Sequence, residues 1–158
     1  MGTETKVIIV GIFLTIVGVV GVSFFLTKDA GTNVADSEIV AKTGIHWHPK
    51  LSISINGKNQ ELSNGIGLTG SVHQKIHTHD EDYKDGVVHM EMSGVVSKDD
   101  TKLGNFFRIW GKEFNSTQIF DKKNGPQRTV KIIVNGKQNT DFENYLMKDK
   151  DQIEIKYE

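Results

Sequence analysis

The chain has no cysteine. That absence excludes disulfides, iron–sulfur clusters, thiolate zinc sites, blue-copper centres with a cysteine ligand and haem attached through a CxxCH motif. A transition ion held here has to be bound by imidazole, carboxylate, thioether or backbone groups. Net charge is nearly absent too, because 19 Lys and Arg stand against 20 Asp and Glu. No basic block occurs, so the clustered cationic footprint of a nucleic-acid-binding protein is missing, and nucleic acid is not an expected partner.

Histidine is concentrated instead. All six fall between His46 and His89, as His46-Trp47-His48, a lone His73, His77-Thr78-His79-Asp80 and His89-Met90-Glu91. Alternate side chains on a strand point the same way, so each i, i+2 pair can offer two donors to one ion. We place His46 and His48 at one strand end, His89 and Glu91 on another strand, and His77, His79 and Asp80 in the loop between. Neighbouring strands lie about 4.8 Å apart, close enough for such pairs to converge. The expected metal ligands are therefore His46, His48, His77, His79, His89, Asp80 and Glu91.

Nitrogen and oxygen donors at roughly 2.0–2.2 Å suit Zn²⁺, Cu²⁺, Ni²⁺ or Fe²⁺, and with equal access Cu²⁺ binds most tightly. The expected cofactor is thus copper or zinc, with copper preferred, and calcium is not expected. Met90 and Met92 alternate with His89, which assigns them to the core face. The lone His73 reads as a solvated surface residue or a satisfied core one, and Asp80-Glu81-Asp82 as a solvated loop. Together with Asp85, these carboxylates are expected to raise the pKa values of His77 and His79. A cluster that protonates and rearranges as pH falls is a second reading of the same residues.

Residues Val7 to Leu26 read VIIVGIFLTIVGVVGVSFFL, twenty positions without a charge. As a helix they would span roughly 30 Å, the thickness of a bilayer core. A cleaved signal peptide usually has a shorter apolar stretch followed promptly by a small-x-small site, and here only Asn33-Val34-Ala35 offers one, late. We expect a short cytoplasmic tail (1–6), an uncleaved transmembrane helix (7–26), a polar tether (27–43) and an extracytoplasmic domain (44–158). Gly11, Thr15 and Gly18 would form a small-residue face on the membrane helix.

The exported part reads as one domain, within the usual range of roughly 100–150 residues. Leu51-Ser-Ile-Ser-Ile alternates and ends in Asn56-Gly57, a strand entering a two-residue hairpin turn. Val130-Lys-Ile-Ile-Val followed by Asn135-Gly136 repeats that pattern. Val87 to Met92 and Ile153 to Tyr157 alternate as well. Leu103, Phe106, Phe107, Trp110 and Phe114 fall at helical spacing, with Asp99, Asp100 or Thr101 as cap and Gly111 as stop. Thr140-x-x-Glu143 resembles a capping box opening a second short helix, with Phe142, Tyr145 and Leu146 inward. The expected fold class is α+β: antiparallel strands and hairpins with one or two short helices, for which a β-grasp-like sheet is the candidate arrangement. Asn115-Ser-Thr117 fits the N-glycosylation sequon.

The strings HWHP, IHTHD, GVVHME and KLGNFFRIWG, with the NG hairpin, resemble a mostly uncharacterised family of small histidine-rich extracytoplasmic proteins. Its members occur in ammonia-oxidising archaea and some bacteria, behind a membrane helix or a signal peptide. The resemblance covers roughly residues 44–158. It implies a cell-surface setting rich in copper enzymes, hence copper as the metal and a membrane copper enzyme such as ammonia monooxygenase as partner. The leading functional reading is a membrane-anchored metal-binding protein, an accessory subunit or metal-delivery module. A metal-dependent enzyme with Glu91 or Asp80 as base, and a structural subunit without an exchangeable ion, are the alternatives.

Overall fold

The structure is a computed structural model that describes Gly2 and residues 35–158. The expected tail (Gly2 apart), the membrane span 7–26 with its small-residue face, and the tether as far as residue 34 lie outside the described residues. Among the described residues, no helix is long and apolar enough to cross a membrane. The tether ends earlier than Thr43: the compact unit starts at Asp36, with a 3₁₀ turn over Asp36–Glu38.

In chain order the strands begin with β1 (Ile39–Ala41), β2 (Ile45–Trp47), β3 (Lys50–Ile55) and β4 (Lys58–Gln60). The short pieces β5 (Leu68–Thr69), β6 (Val72–His73) and β7 (Ile76–His77) lead to β8 (His89–Met92) and β9 (Val96–Ser97). The one α-helix among the described residues, α1 (Leu103–Trp110), precedes β10 (Phe114–Asn115), β11 (Gln118–Ile119) and β12 (Lys122–Lys123). The chain closes with β13 (Val130–Val134), β14 (Lys137–Asn139) and β15 (Gln152–Tyr157). The domain is β-rich, and most of its pairings are antiparallel.

The largest sheet has the order β14-β13-β15-β3-β4. Both outer hairpins turn through Asn-Gly, with φ of 52° and 75° at Asn56-Gly57 and 51° and 77° at Asn135-Gly136. Two positive φ values in a two-residue loop match the right-handed twist of the flanking strands, and Asn-Gly tolerates them. The two similar sequence stretches are thus one hairpin design used on both flanks. Between them β15 pairs antiparallel with β13 and parallel with β3. The parallel central pair was not legible from the alternating patterns, which are the same for either direction.

The inward residues Leu51, Ile53, Val130, Ile132, Ile153 and Ile155 join Leu103, Phe106 and Phe107 of α1 in one core cluster. Burying each such side chain contributes about 1.5–3 kcal/mol. The helix differs from the sequence reading at both ends. Its N-cap is Lys102, which makes no side-chain cap bond, because Asp99–Thr101 folds as a 3₁₀ turn. Asp100 instead accepts the Ser97 N–H and hydroxyl at 2.9 and 2.7 Å. Gly111, at φ 69°, stops the helix as expected. Phe114 therefore lies beyond it on β10, stacked on Phe107 with ring centroids 4.5 Å apart.

The second helix shortens to a 3₁₀ turn over Phe142–Asn144. Asn139 takes the Asp141 N–H at 2.7 Å, and no side chain caps the turn. Asp151 then gathers the Tyr145 hydroxyl, the Lys148 N–H and the Asn135 amide at 2.7–2.9 Å. Met147 fills the core position that Leu146 was expected to take.

Candidate metal centre

His46, His77 and His89 lie on a three-stranded sheet of order β2-β8-β7, with His48 and His79 just beyond the ends of β2 and β7. Antiparallel register sets His46 opposite Glu91 and Trp47 opposite Met90. On the other side of β8, Ile76 faces Met90 and His77 faces His89. The Val88 N–H bond to the Pro49 carbonyl and the Lys50–Val87 bridge continue the same register, bringing His48 level with His89. One face of the sheet thus carries a row His48–His89–His77 beside a row His46–Glu91. The other carries the apolar row Trp47–Met90–Ile76. Met90 and Met92 are buried, as strand parity requires.

The donors fall into two sets. His46, His48 and His89 form one, and His77, His79 and Glu91 the other, the ligand atoms within each set lying within 4.8 Å of one another. The rings are continuous across the sets: His48 and His89 have centroids 4.8 Å apart, and His79 and His89 4.5 Å. His77 stacks against His89 at 5.7 Å.

His77 is the buried member, 1% exposed. Its Nδ1 lies 2.9 Å from the Gln74 carbonyl, an acceptor only, so Nδ1 carries the proton. Burial holds the ring below its ordinary pKa; the Gln74 carbonyl pulls the other way, and His79 adds to the depression. The ring is therefore neutral, with its lone pair on Nε2. That corrects the expectation that the acidic loop would raise this pKa: desolvation dominates, and the carboxylate that pulls upward is Glu91 of β8.

The Nε2 atoms of His77 and His79 are 3.0 Å apart. Two nitrogens bound about 2.0–2.1 Å from one ion, at angles between 90° and tetrahedral, lie about 2.9–3.4 Å apart. The pair already has that separation.

Thr78, between them, is fully buried. Its hydroxyl donates to the Ser63 carbonyl at 2.9 Å and accepts the Ile66 N–H at 3.0 Å. Its own N–H bonds the Ile66 carbonyl. The backbone carrying both imidazoles is thereby tied to the 63–66 loop.

His89 is held from a different direction. Its Nε2 lies 2.9 and 3.1 Å from the two carboxylate oxygens of Asp82. A neutral ring that donates there keeps its lone pair on Nδ1, the arrangement in which a carboxylate orients a metal-binding histidine. The sequence pattern alone assigns Asp82 to a solvated loop. Asp82 reaches His89 because Tyr83–Asp85 forms a 3₁₀ turn closed by Gly86 in the left-handed region.

A Cβ on Gly86 would run into the Leu51 carbonyl oxygen. The same glycine's carbonyl accepts the Leu51 N–H at 2.8 Å, joining the loop to the large sheet.

The remaining expected ligands sort by exposure. His46 and Glu91 lie at the open rim, with His46 Nε2 3.2 Å from Glu91 Oε1 and side chains 65% and 46% exposed. His48 is anchored through its N–H to Asp149 Oδ1 at 2.9 Å. His77 is on β7 rather than in the loop. Asp80 is exposed and belongs to neither set, so this member of the expected ligand list is not brought to the others. His73 is exposed on β6, its ring 5.9 Å from His77, and also belongs to neither. Asp82 and Thr78 are the residues that sequence reasoning missed. A carboxylate seven residues before His89 is a signal of the first, but only once a turn is known to fold it back.

The chain matches no family model, no curated protein and no solved structure.

Proposed function

We propose that this protein is a metal-binding module that holds a first-row transition ion on a histidine-covered sheet, anchored to the membrane by residues 7–26 with the domain outside the cytoplasm. The observation that carries this reading is the paired Nε2 atoms of His77 and His79, 3.0 Å apart, with the His77 proton directed away to a carbonyl. Metal binding requires the neutral imidazole, and burial keeps His77 in that form without a metal.

Copper is the ion we favour. The donors are imidazole and carboxylate, and Cu²⁺ stands at the top of the affinity order for such sites. The likeness of the HTHD, HxE and LGxFFxxWG strings to a family from ammonia oxidisers points the same way, toward a membrane copper enzyme as the partner. The open rim at His46 and Glu91, set against the buried His77, favours an exchangeable ion and hence delivery or an accessory role. A structural ion is normally enclosed by its ligands. The order β14-β13-β15-β3-β4, with its parallel centre and a helix in the same core, supports a β-grasp-like scaffold behind the site.

Metal analysis of the full-length chain purified from its native membrane tests the reading. We expect bound copper that is reduced in the His77→Ala/His79→Ala variant. Absence of any transition metal, together with wild-type behaviour of that variant, would remove the proposal.

A further inference from the structure

We infer that the site takes two divalent transition ions, with the carboxylate of Glu91 bridging them. The inference rests on the metal-binding reading above and deepens it. Three observations carry it.

First, the donors divide into two triads, His46/His48/His89 and His77/His79/Glu91, each tight enough for an ion of its own. Second, Glu91 belongs to the second triad yet touches the first, because Oε1 lies 3.2 Å from His46 Nε2. A carboxylate has two oxygens with about four lone-pair sites, so it can serve both sides at once. Third, the triads share a wall of rings, His89 lying against both His48 and His79. Paired metals in proteins sit about 3.5–4 Å apart, a distance that such adjoining triads allow.

Charge supports the arrangement. An all-histidine triad brings no negative charge of its own, and two divalent ions repel. Glu91 between them and Asp82 behind His89 are the carboxylates placed to offset that repulsion. The register explains why one glutamate can do this: it stands on the central strand β8, directly opposite His46 and two residues from His89. A single-ion site would leave either the rim histidines or the His77–His79 pair without a role.

The test is titration of the full-length chain with Cu²⁺ alone, read by equilibrium dialysis for stoichiometry and by electron paramagnetic resonance for coupling between ions. Two equivalents and a half-field signal are expected. His46→Ala/His48→Ala and His77→Ala/His79→Ala should each bind one equivalent. Glu91→Gln should lose the half-field signal. Circular dichroism accompanies each variant, and His79→Ala alone replaces the second double variant if loss of the buried His77 prevents folding. One equivalent, abolished by either double variant, would overturn the paired site while leaving the metal-binding reading intact. Two equivalents without coupling would overturn the bridge. No binding at all would remove both readings.

Discussion

His77 and His79 bring their Nε2 atoms to 3.0 Å across a threonine whose side chain is fully buried. Two like donors at that distance need either a proton or a cation between them. The His77 proton is committed to the Gln74 carbonyl, so in the metal-free chain only His79 can supply one. An ion bound by both would replace that hydrogen bond with two metal–nitrogen bonds at a separation the pair already has.

Asp82 orients His89, and carboxylates behind metal-binding histidines typically contribute about 10–100-fold in affinity. Asp82→Asn should weaken Cu²⁺ binding within that range, measured by competition with a chelator of known affinity, while the circular dichroism spectrum stays unchanged. An affinity equal to wild type would show that the carboxylate only packs the loop.

Thr78→Val removes the hydroxyl but keeps the shape. It leaves the buried Ile66 N–H and the Ser63 carbonyl without their partner. Stability should fall by about 1–3 kcal/mol in urea denaturation. Thr78→Ser should recover most of the loss. Equal stability of the valine and wild-type chains would mean that water replaces the hydroxyl.

Gly86→Ala meets two penalties, a positive φ of 76° and contact with the Leu51 carbonyl oxygen. Left-handed backbone alone costs about 1–3 kcal/mol for a residue with a Cβ. Because Gly86 closes the turn that carries Asp82, both the denaturation midpoint and metal affinity should drop. A midpoint shift with unchanged affinity would separate the turn from the site.

The metal-free protein should lose stability as pH falls. Burial lowers the folded-state pKa of His77, so the unfolded chain takes up a proton first. The contribution is complete above the unfolded value, about 6.5, and is lost as pH drops through the folded one. Urea midpoints at pH 7.5 and pH 5 should show the decline, and His77→Gln should flatten part of it. An unchanged slope in that variant would assign the pH dependence to other groups.

His73→Ala and Asp80→Asn provide the contrast. Both residues are exposed and lie outside the two triads. Copper affinity measured by the same chelator competition should change by less than about twofold, as expected of surface substitutions away from the donors. A large loss in Asp80→Asn would restore the loop carboxylate as a ligand.

Much of the site was legible because it is written at period two. The alternation Val88, Met90, Met92 against His89, Glu91 required only that β8 be a strand, and the Met and His faces followed. The Asn-Gly hairpins were equally local. Asp82 and Thr78 were not legible, since their roles depend on a turn and on a loop some fifteen residues away. The same limit explains Phe114 and Leu146: periodicity extended a helix past Gly111 and began one at Thr140, while packing and competing side-chain bonds ended both.

The sequence alone determined the chemistry of the donors. With no cysteine, six clustered histidines and alternating strands, imidazole and carboxylate were the available ligands, and their facing side followed from the pleat. Tertiary structure decided which donors meet. The register of β2 and β7 on β8 chose Glu91, and the turn closed by Gly86 chose Asp82, while Asp80 was left in solvent. A pleat is a property of neighbouring residues. Register and loop closure depend on the burial of Met90, Trp47 and Ile76 on the opposite face and on bonds to Leu51, Ser63 and Ile66, none of which a local pattern contains.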